Sequence, residues 1–125
     1  MILGTGIDLV ELERIRSSLE KFGERFLKRI LHPGEIAYCL THQDPAPFVA
    51  GRFAAKEAIS KAFGTGICGK LGWLDMEVGR KPSGEPFVIL HEGGLKLLAE
   101  RGGRKVHLSL SHTHHHATAV AILED

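Results

Sequence analysis

The stretch 53-FAAKEAISKAFGTGI-67 decides how the rest of the chain is read. From about Pro47 to Phe63 nothing after Gly51 breaks a helix, and Ala, Lys, Glu and Ile are acceptable to good helix formers. On a 3.6-residue wheel Val49, Ala50, Phe53, Ala54, Ala55, Ala58, Ile59, Ala62 and Phe63 leave only narrow polar gaps. A helix apolar on nearly every side is normally buried, and its alanines allow another backbone to approach closely. Gly64-Thr65-Gly66 ends it, Gly64 suiting the left-handed position just past a C-terminus. Glu57 and Lys61, four residues apart, share one face with Ala50, Phe53 and Ala54. Two readings of the pair are open. It is a surface ion pair worth roughly a few tenths of a kcal/mol, or it lines a polar cleft, with a carboxylate for a metal and an ammonium for an anion. The apolar setting favours the cleft.

Towards the N-terminus, Met1 to Val10 reads as a buried strand interrupted by Gly4-Thr5-Gly6. Glycine inside a strand marks close approach of another backbone or a ligand. Asp8, among Ile7, Leu9 and Val10, is out of place in a strand. Either it is an edge position or a helix cap, or it is a metal or catalytic carboxylate held on a rigid element. Leu12, Ile15, Leu19 and Phe22 predict a helix over 11–22, followed by helices over 24–31 and 35–42. Pro33 suits a first turn. Arg14, Arg16, Lys21, Arg25, Lys28 and Arg29 make a local basic excess. Such an excess is commonly a solvated face, and here it is also the docking surface available to an acidic partner.

Beyond Gly66 the pattern changes to strands. Trp73 to Val78 and Pro86 to His91 flank a Lys81-Pro82-Ser83-Gly84 turn. A short helix over Leu95 to Ala99 closes at Gly102-Gly103, and Lys105 to Leu110 and Thr118 to Leu123 pair across a turn from Ser111 to His116. The expectation is a single domain over 1–125 of the α+β class, with a largely antiparallel sheet packed with helices. The His-rich turn is open to three readings: a transition-metal site, a solvated loop, or a phosphate contact through Ser111 and His112. No nucleophile-elbow pattern surrounds Ser111.

A net charge of +1 gives no global pull toward nucleic acid or membrane. Cys39 and Cys68 have no metal-type spacing and favour free thiols in a reducing cytosol. The N-terminal segment has no basic lead and is too short for a signal peptide, and no apolar run approaches spanning length.

Three segments taken together resemble one family: 4-GTGIDLVE-11 with Arg14-Ile15, 53-FAAKEA-58 with Ser60-Lys61-Ala62 and Gly64-Thr65-Gly66, and 109-SLSH-112. This is the holo-acyl-carrier-protein synthase family of small 4′-phosphopantetheinyl transferases, and the resemblance spans essentially the whole chain. Stretch 41–46 and His114 to His116 match nothing in its pattern. The resemblance implies the phosphopantetheinyl transferase fold and transfer of phosphopantetheine from coenzyme A to a serine of apo acyl-carrier protein, releasing adenosine 3′,5′-bisphosphate. It implies Mg²⁺ on Asp8 and Glu57, and catalytic roles for Glu57 and Lys61. Lys61, Gly64, Thr65, Ser111 and His112 would contact coenzyme A, and Arg14 and Arg25 the carrier protein. A cytoplasmic homotrimer with active sites at subunit interfaces is implied too. The rival classes are a Mg²⁺-dependent pyrophosphate hydrolase and a non-enzymatic module that docks an acidic or nucleic-acid partner. Mg²⁺-dependent release of adenosine bisphosphate separates enzyme from module, and its need for apo carrier protein separates transferase from hydrolase.

Overall fold

Alternation along the first strand sets the geometry of the molecule. The computed structural model describes residues 1–125. In chain order it contains β1 (Ile2–Glu11), α1 (Leu12–Phe22), α2 (Glu24–Ile30), α3 (Pro33–Leu40) and α4 (Ala46–Ala62). These are followed by β2 (Met76–Arg80), β3 (Pro86–Leu90), α5 (Glu92–Glu100), β4 (Lys105–His112) and β5 (His116–Glu124). Side chains in a strand point alternately to opposite faces. In β1 the even positions Gly4, Gly6, Asp8 and Val10 therefore look toward α4. At Gly6 an added Cβ would lie 1.9 Å from the Ala58 carbonyl oxygen, and at Gly4 2.0 Å from that of Ala62. The glycines let strand and helix backbones meet.

Gly6→Ala must push that contact apart. It should cost about 3 kcal/mol, the upper range for overpacking a core, read as a drop in the urea midpoint at unchanged m-value.

All strand pairing is antiparallel. Three strands run in the order β1-β5-β4, and β2 and β3 form a separate two-stranded ribbon. The α+β expectation holds, with the strands divided between two sheets. One face of the larger sheet lies on α4, buried as its all-round apolar pattern predicts. On the other face Ile7 and Leu9 are 63% and 66% exposed, and Val120, opposite Ile7 in the register, is exposed beside them.

Charge is buried within α4 as well. Lys56 Nζ donates to Glu35 Oε1 at 2.9 Å and to the Ile30 carbonyl at 2.6 Å. Glu35 also accepts from the backbone N–H of His32 and Val78, which ties α3 to β2. Arg52, equally buried, stands over the Tyr38 ring at 4.5 Å, and its Nε lies 3.9 Å from Glu35 without a hydrogen bond.

Several boundaries differ from the sequence reading. Trp73 to Asp75 is a 3-10 turn and not the start of a strand. Asp75 accepts from the N–H groups of Gly72 and Gly93, and those side-chain bonds hold the turn where alternation predicts extension. α3 begins two residues early at Pro33, and α5 three residues early at Glu92. The last hairpin is tighter than expected: Ser111, His112 and His116 lie in the strands, leaving Thr113 to His115 as the turn. No helix is long and apolar enough to cross a membrane.

Candidate functional site

Where β1 crosses α4 the alternation that buries Gly4 and Gly6 carries Asp8 to the same face. Asp8 meets there the two charged residues that sequence spacing puts on one side of α4. Lys61 Nζ donates to Asp8 Oδ1 at 3.1 Å and to the Ile7 carbonyl at 2.8 Å. The ammonium thus pairs with the strand carboxylate, and no ion pair links it to Glu57, four residues back on its own helix. Asp8 belongs to an edge strand, yet its side chain is only 16% exposed.

Glu57 is half-buried on the same face. Burial pushes its carboxyl above the usual range and the Asp8 charge adds to the shift, while Lys61 and Arg14 oppose it. Arg14 reaches this group from α1, its guanidinium 5.4 Å from the Phe53 ring centre. Two carboxylates held together by packed backbone, with the charged form of one disfavoured, are a donor set suited to a divalent cation. Mg²⁺ commonly takes one or two carboxylates with phosphate oxygens and water. Asp8 and Glu57 fit that description.

The helix ends one residue past Lys61, at Ala62. Gly64 and Gly66 have φ of 81° and 67°, the left-handed region that glycine enters without strain. The N–H groups of Thr65 and Gly66 both turn back to the Ser60 carbonyl. Arg101, the residue after α5, donates to the Phe63 carbonyl and to that of Leu3 at 3.1 Å, fastening this loop to β1. Gly64 and Thr65 thus sit beside Lys61 at the C-terminal end of α4.

Ser111 and His112 are elsewhere. His112 lies against Phe48 with ring centres 6.0 Å apart, at the start of α4. At a rise of 1.5 Å per residue that end is about 24 Å along the helix from Gly64. One chain therefore gathers Asp8, Glu57, Lys61, Gly64, Thr65 and Arg14 on the α4 side, while Ser111, in one row with Thr118 and Leu9, faces the opposite side of the sheet and His112 lies against Phe48. Arg25 lies on α2, exposed, and lines a groove with Ser18, Phe22, Phe26 and Arg29. His114 and His115 in the hairpin turn and His116 at the start of β5 are exposed, and the one cluster with metal-ligand geometry lies elsewhere. Sequence reasoning passed over the buried Glu35, Lys56 and Arg52. Charged residues at helical spacing look alike whether a second element covers them or not.

The 4′-phosphopantetheinyl transferase superfamily matches residues 4–121 of the chain. Among curated proteins, the holo-[acyl-carrier-protein] synthase of Koribacter versatilis is 51% identical over 125 residues, covering all of both chains. Among solved structures, the holo-[acyl-carrier-protein] synthase of Neisseria meningitidis superposes with a TM-score of 0.93 at 38% identity, covering 100% of both chains. That of Bacillus anthracis in complex with CoA (3′,5′-ADP) gives a TM-score of 0.84 at 41% identity, over 100% of this chain and 98% of the other.

Proposed function

This chain belongs to the 4′-phosphopantetheinyl transferase superfamily, and from that membership we propose that it moves the 4′-phosphopantetheine group of coenzyme A onto a serine of apo acyl-carrier protein. The observation that carries the proposal is the convergence of Asp8, Glu57 and Lys61 where β1 crosses α4. In the reaction the serine hydroxyl releases its proton and its oxygen bonds to the phosphorus that carries the pantetheine arm. The bond from that phosphorus to the bridging pyrophosphate oxygen breaks, and adenosine 3′,5′-bisphosphate leaves. Catalysis of such a step is chiefly positioning and charge stabilisation. Asp8 and Glu57 would hold Mg²⁺, which supplies positive charge to the pyrophosphate oxygens. Lys61 is half exposed beside them and can turn its ammonium from Asp8 to a phosphate oxygen of the leaving group. Gly64 and Thr65 bring backbone close to the same phosphates.

Ser111 and His112 would serve a coenzyme A phosphate in a neighbouring copy, since Ser111 shares the outward face of Leu9 and His112 lies against Phe48 near the start of α4. The exposed Ile7, Leu9 and Val120 face supports a homotrimer in which that neighbour is supplied. The 125 residues act as one catalytic domain. Cys39 and Cys68 are both free thiols, in keeping with work in the cytoplasm.

Incubation with coenzyme A, apo carrier protein and Mg²⁺, followed by mass spectrometry, tests the assignment. The carrier must gain one phosphopantetheine and adenosine bisphosphate must accumulate. Bisphosphate released without carrier would make the chain a hydrolase. The raised pKa of Glu57 adds a pH dependence. Protons compete for the carboxylate, so the Mg²⁺ concentration for half-maximal rate should rise as pH falls toward that pKa and level off above it.

The partner should dock on α1 and α2. Their groove, about 290 Å³, has an apolar floor of Phe22 and Phe26 between Arg25 and Arg29, and suits an acidic partner with an apolar side chain at its centre. Arg14→Glu and Arg25→Glu should each raise the carrier KM about tenfold and flatten its salt dependence, because rim charges act mainly on encounter. For Arg25→Glu the coenzyme A KM should stay put. Steady-state kinetics with each substrate varied in turn separates the two effects.

A further inference from the structure

We infer that His32, Glu77 and His91 form a second metal site, for a divalent transition ion of the zinc class, separate from the Asp8–Glu57 pair. One nitrogen from each ring and one Glu77 oxygen lie within 4.8 Å of one another. His91 Nε2 is 2.8 Å from Glu77 Oε1, and the two imidazoles pack with centres 4.5 Å apart, tilted by 32°. Two nitrogens and a carboxylate oxygen are the donor set that zinc takes when three protein ligands leave a fourth position to water.

Each ligand comes from a backbone position fixed by other bonds. His32 is the residue before α3, and its N–H donates to Glu35 Oε1 at 2.8 Å. His91 is the residue before α5, and its N–H donates to the Asp75 carbonyl at 2.9 Å. Glu77 is the second residue of β2 and pairs with Ile89 in the β2–β3 ladder. Tetrahedral zinc with bonds near 2.0–2.1 Å needs ligand atoms roughly 3.3 Å apart. The present atoms bracket that spacing, from 2.8 Å for His91 Nε2 to Glu77 Oε1 up to the 4.8 Å limit of the cluster. His32 Nε2 also bonds the Leu74 carbonyl at 2.8 Å. A ring nitrogen donating to a carbonyl leaves its other nitrogen with the lone pair a metal needs, which is the outer-shell arrangement usual for histidine ligands.

A plain His91–Glu77 hydrogen bond accounts for two of these residues and not for the third. All three side chains are half-buried, so an ion can enter from solvent. Bound there, it would tie α3, the β2–β3 ribbon and α5 into one unit. Nitrogen-rich donors also separate this site from the all-oxygen chemistry of Mg²⁺.

The test measures zinc binding by equilibrium dialysis in excess Mg²⁺, on protein in which His114, His115 and His116 are all changed to Asn so that the exposed turn contributes nothing. One equivalent should bind, and cobalt in its place should give the visible bands of four-coordinate geometry. His32→Asn, His91→Asn and Glu77→Gln should each weaken binding about tenfold or more. Asparagine is a good helix N-cap, so both helix starts should survive, as far-UV circular dichroism can check. An arm without variants is NMR of the imidazoles: zinc should move His32 and His91 and leave His107, bonded to Glu124, where it is. Absence of the equivalent in the triple variant, undiminished binding after any one ligand change, or unmoved His32 and His91 resonances would each overturn the site.

Discussion

Glu57→Gln should lower kcat/KM by about two to three orders of magnitude, the range for removing one group that stabilises developing charge, while the melting temperature holds or rises. The stability half follows from the pKa. A carboxyl raised above its unfolded value stabilises the fold only in its protonated form. That contribution is present below the unfolded pKa and is lost as pH rises through the folded one. At neutral pH the ionised Glu57 therefore weighs against the fold, and glutamine removes the burden, as expected where a site trades stability for activity. Asp8→Asn should cost a similar factor. The double variant should be little worse than the weaker single one, because groups that hold one ion act as a unit. Full turnover of either single variant at low Mg²⁺ would sink the metal assignment. A collapse in melting temperature for Glu57→Gln would make the residue structural.

The largest effect on stability belongs to Lys56, which touches no substrate in this scheme. Burial pulls the Lys56 ammonium below the usual lysine range and Glu35 opposes the shift, and the group has one carboxylate partner and two hydrogen bonds. Lys56→Met keeps the apolar stem and strands Glu35, whose other cation, Arg52, has its Nε at 3.9 Å. Breaking one side of a buried pair costs about 3–5 kcal/mol. Natural domains hold only about 5–15 kcal/mol in all. Urea titrations of Lys56→Met, Glu35→Gln and the double variant should show the singles summing to well over the double. A loss under about 1 kcal/mol for Lys56→Met would mean that Arg52 swings in to replace it.

What the sequence made legible was local. The all-round apolar pattern of α4, the period of α1 and the glycine stop after Phe63 each depend on neighbours a few residues away. Gly4, Gly6 and Asp8 were legible too, since a period of two puts them on one face whatever that face meets. Trp73 to Asp75 misled because alternation says nothing of a carboxylate that folds back onto a backbone N–H. Glu35, Lys56 and Arg52 come from two helices whose packing no local pattern fixes, and so read as ordinary surface charge. The distance between Ser111 and Lys61 was equally hidden, for it depends on which end of α4 the last hairpin lies against. His32, Glu77 and His91 are joined by the same kind of long-range packing.

The order β1-β5-β4 has a consequence for synthesis. The middle strand of the sheet is the one translated last, and the Thr118 to Asp8 bond across it joins positions 110 apart. While a ribosome is still adding β5, β1 has no strand to pair with, and both its edges stay open along with Ile7 and Leu9. Pairings of such separation are slow to form and leave strand edges exposed meanwhile. α1 and α2 can coil as they emerge, but Asp8 has no fixed strand to hold it against α4 until His116 to Glu124 clears the exit tunnel. Asp8, the strand half of the candidate metal site, should therefore be fixed late, once β5 has paired with β1.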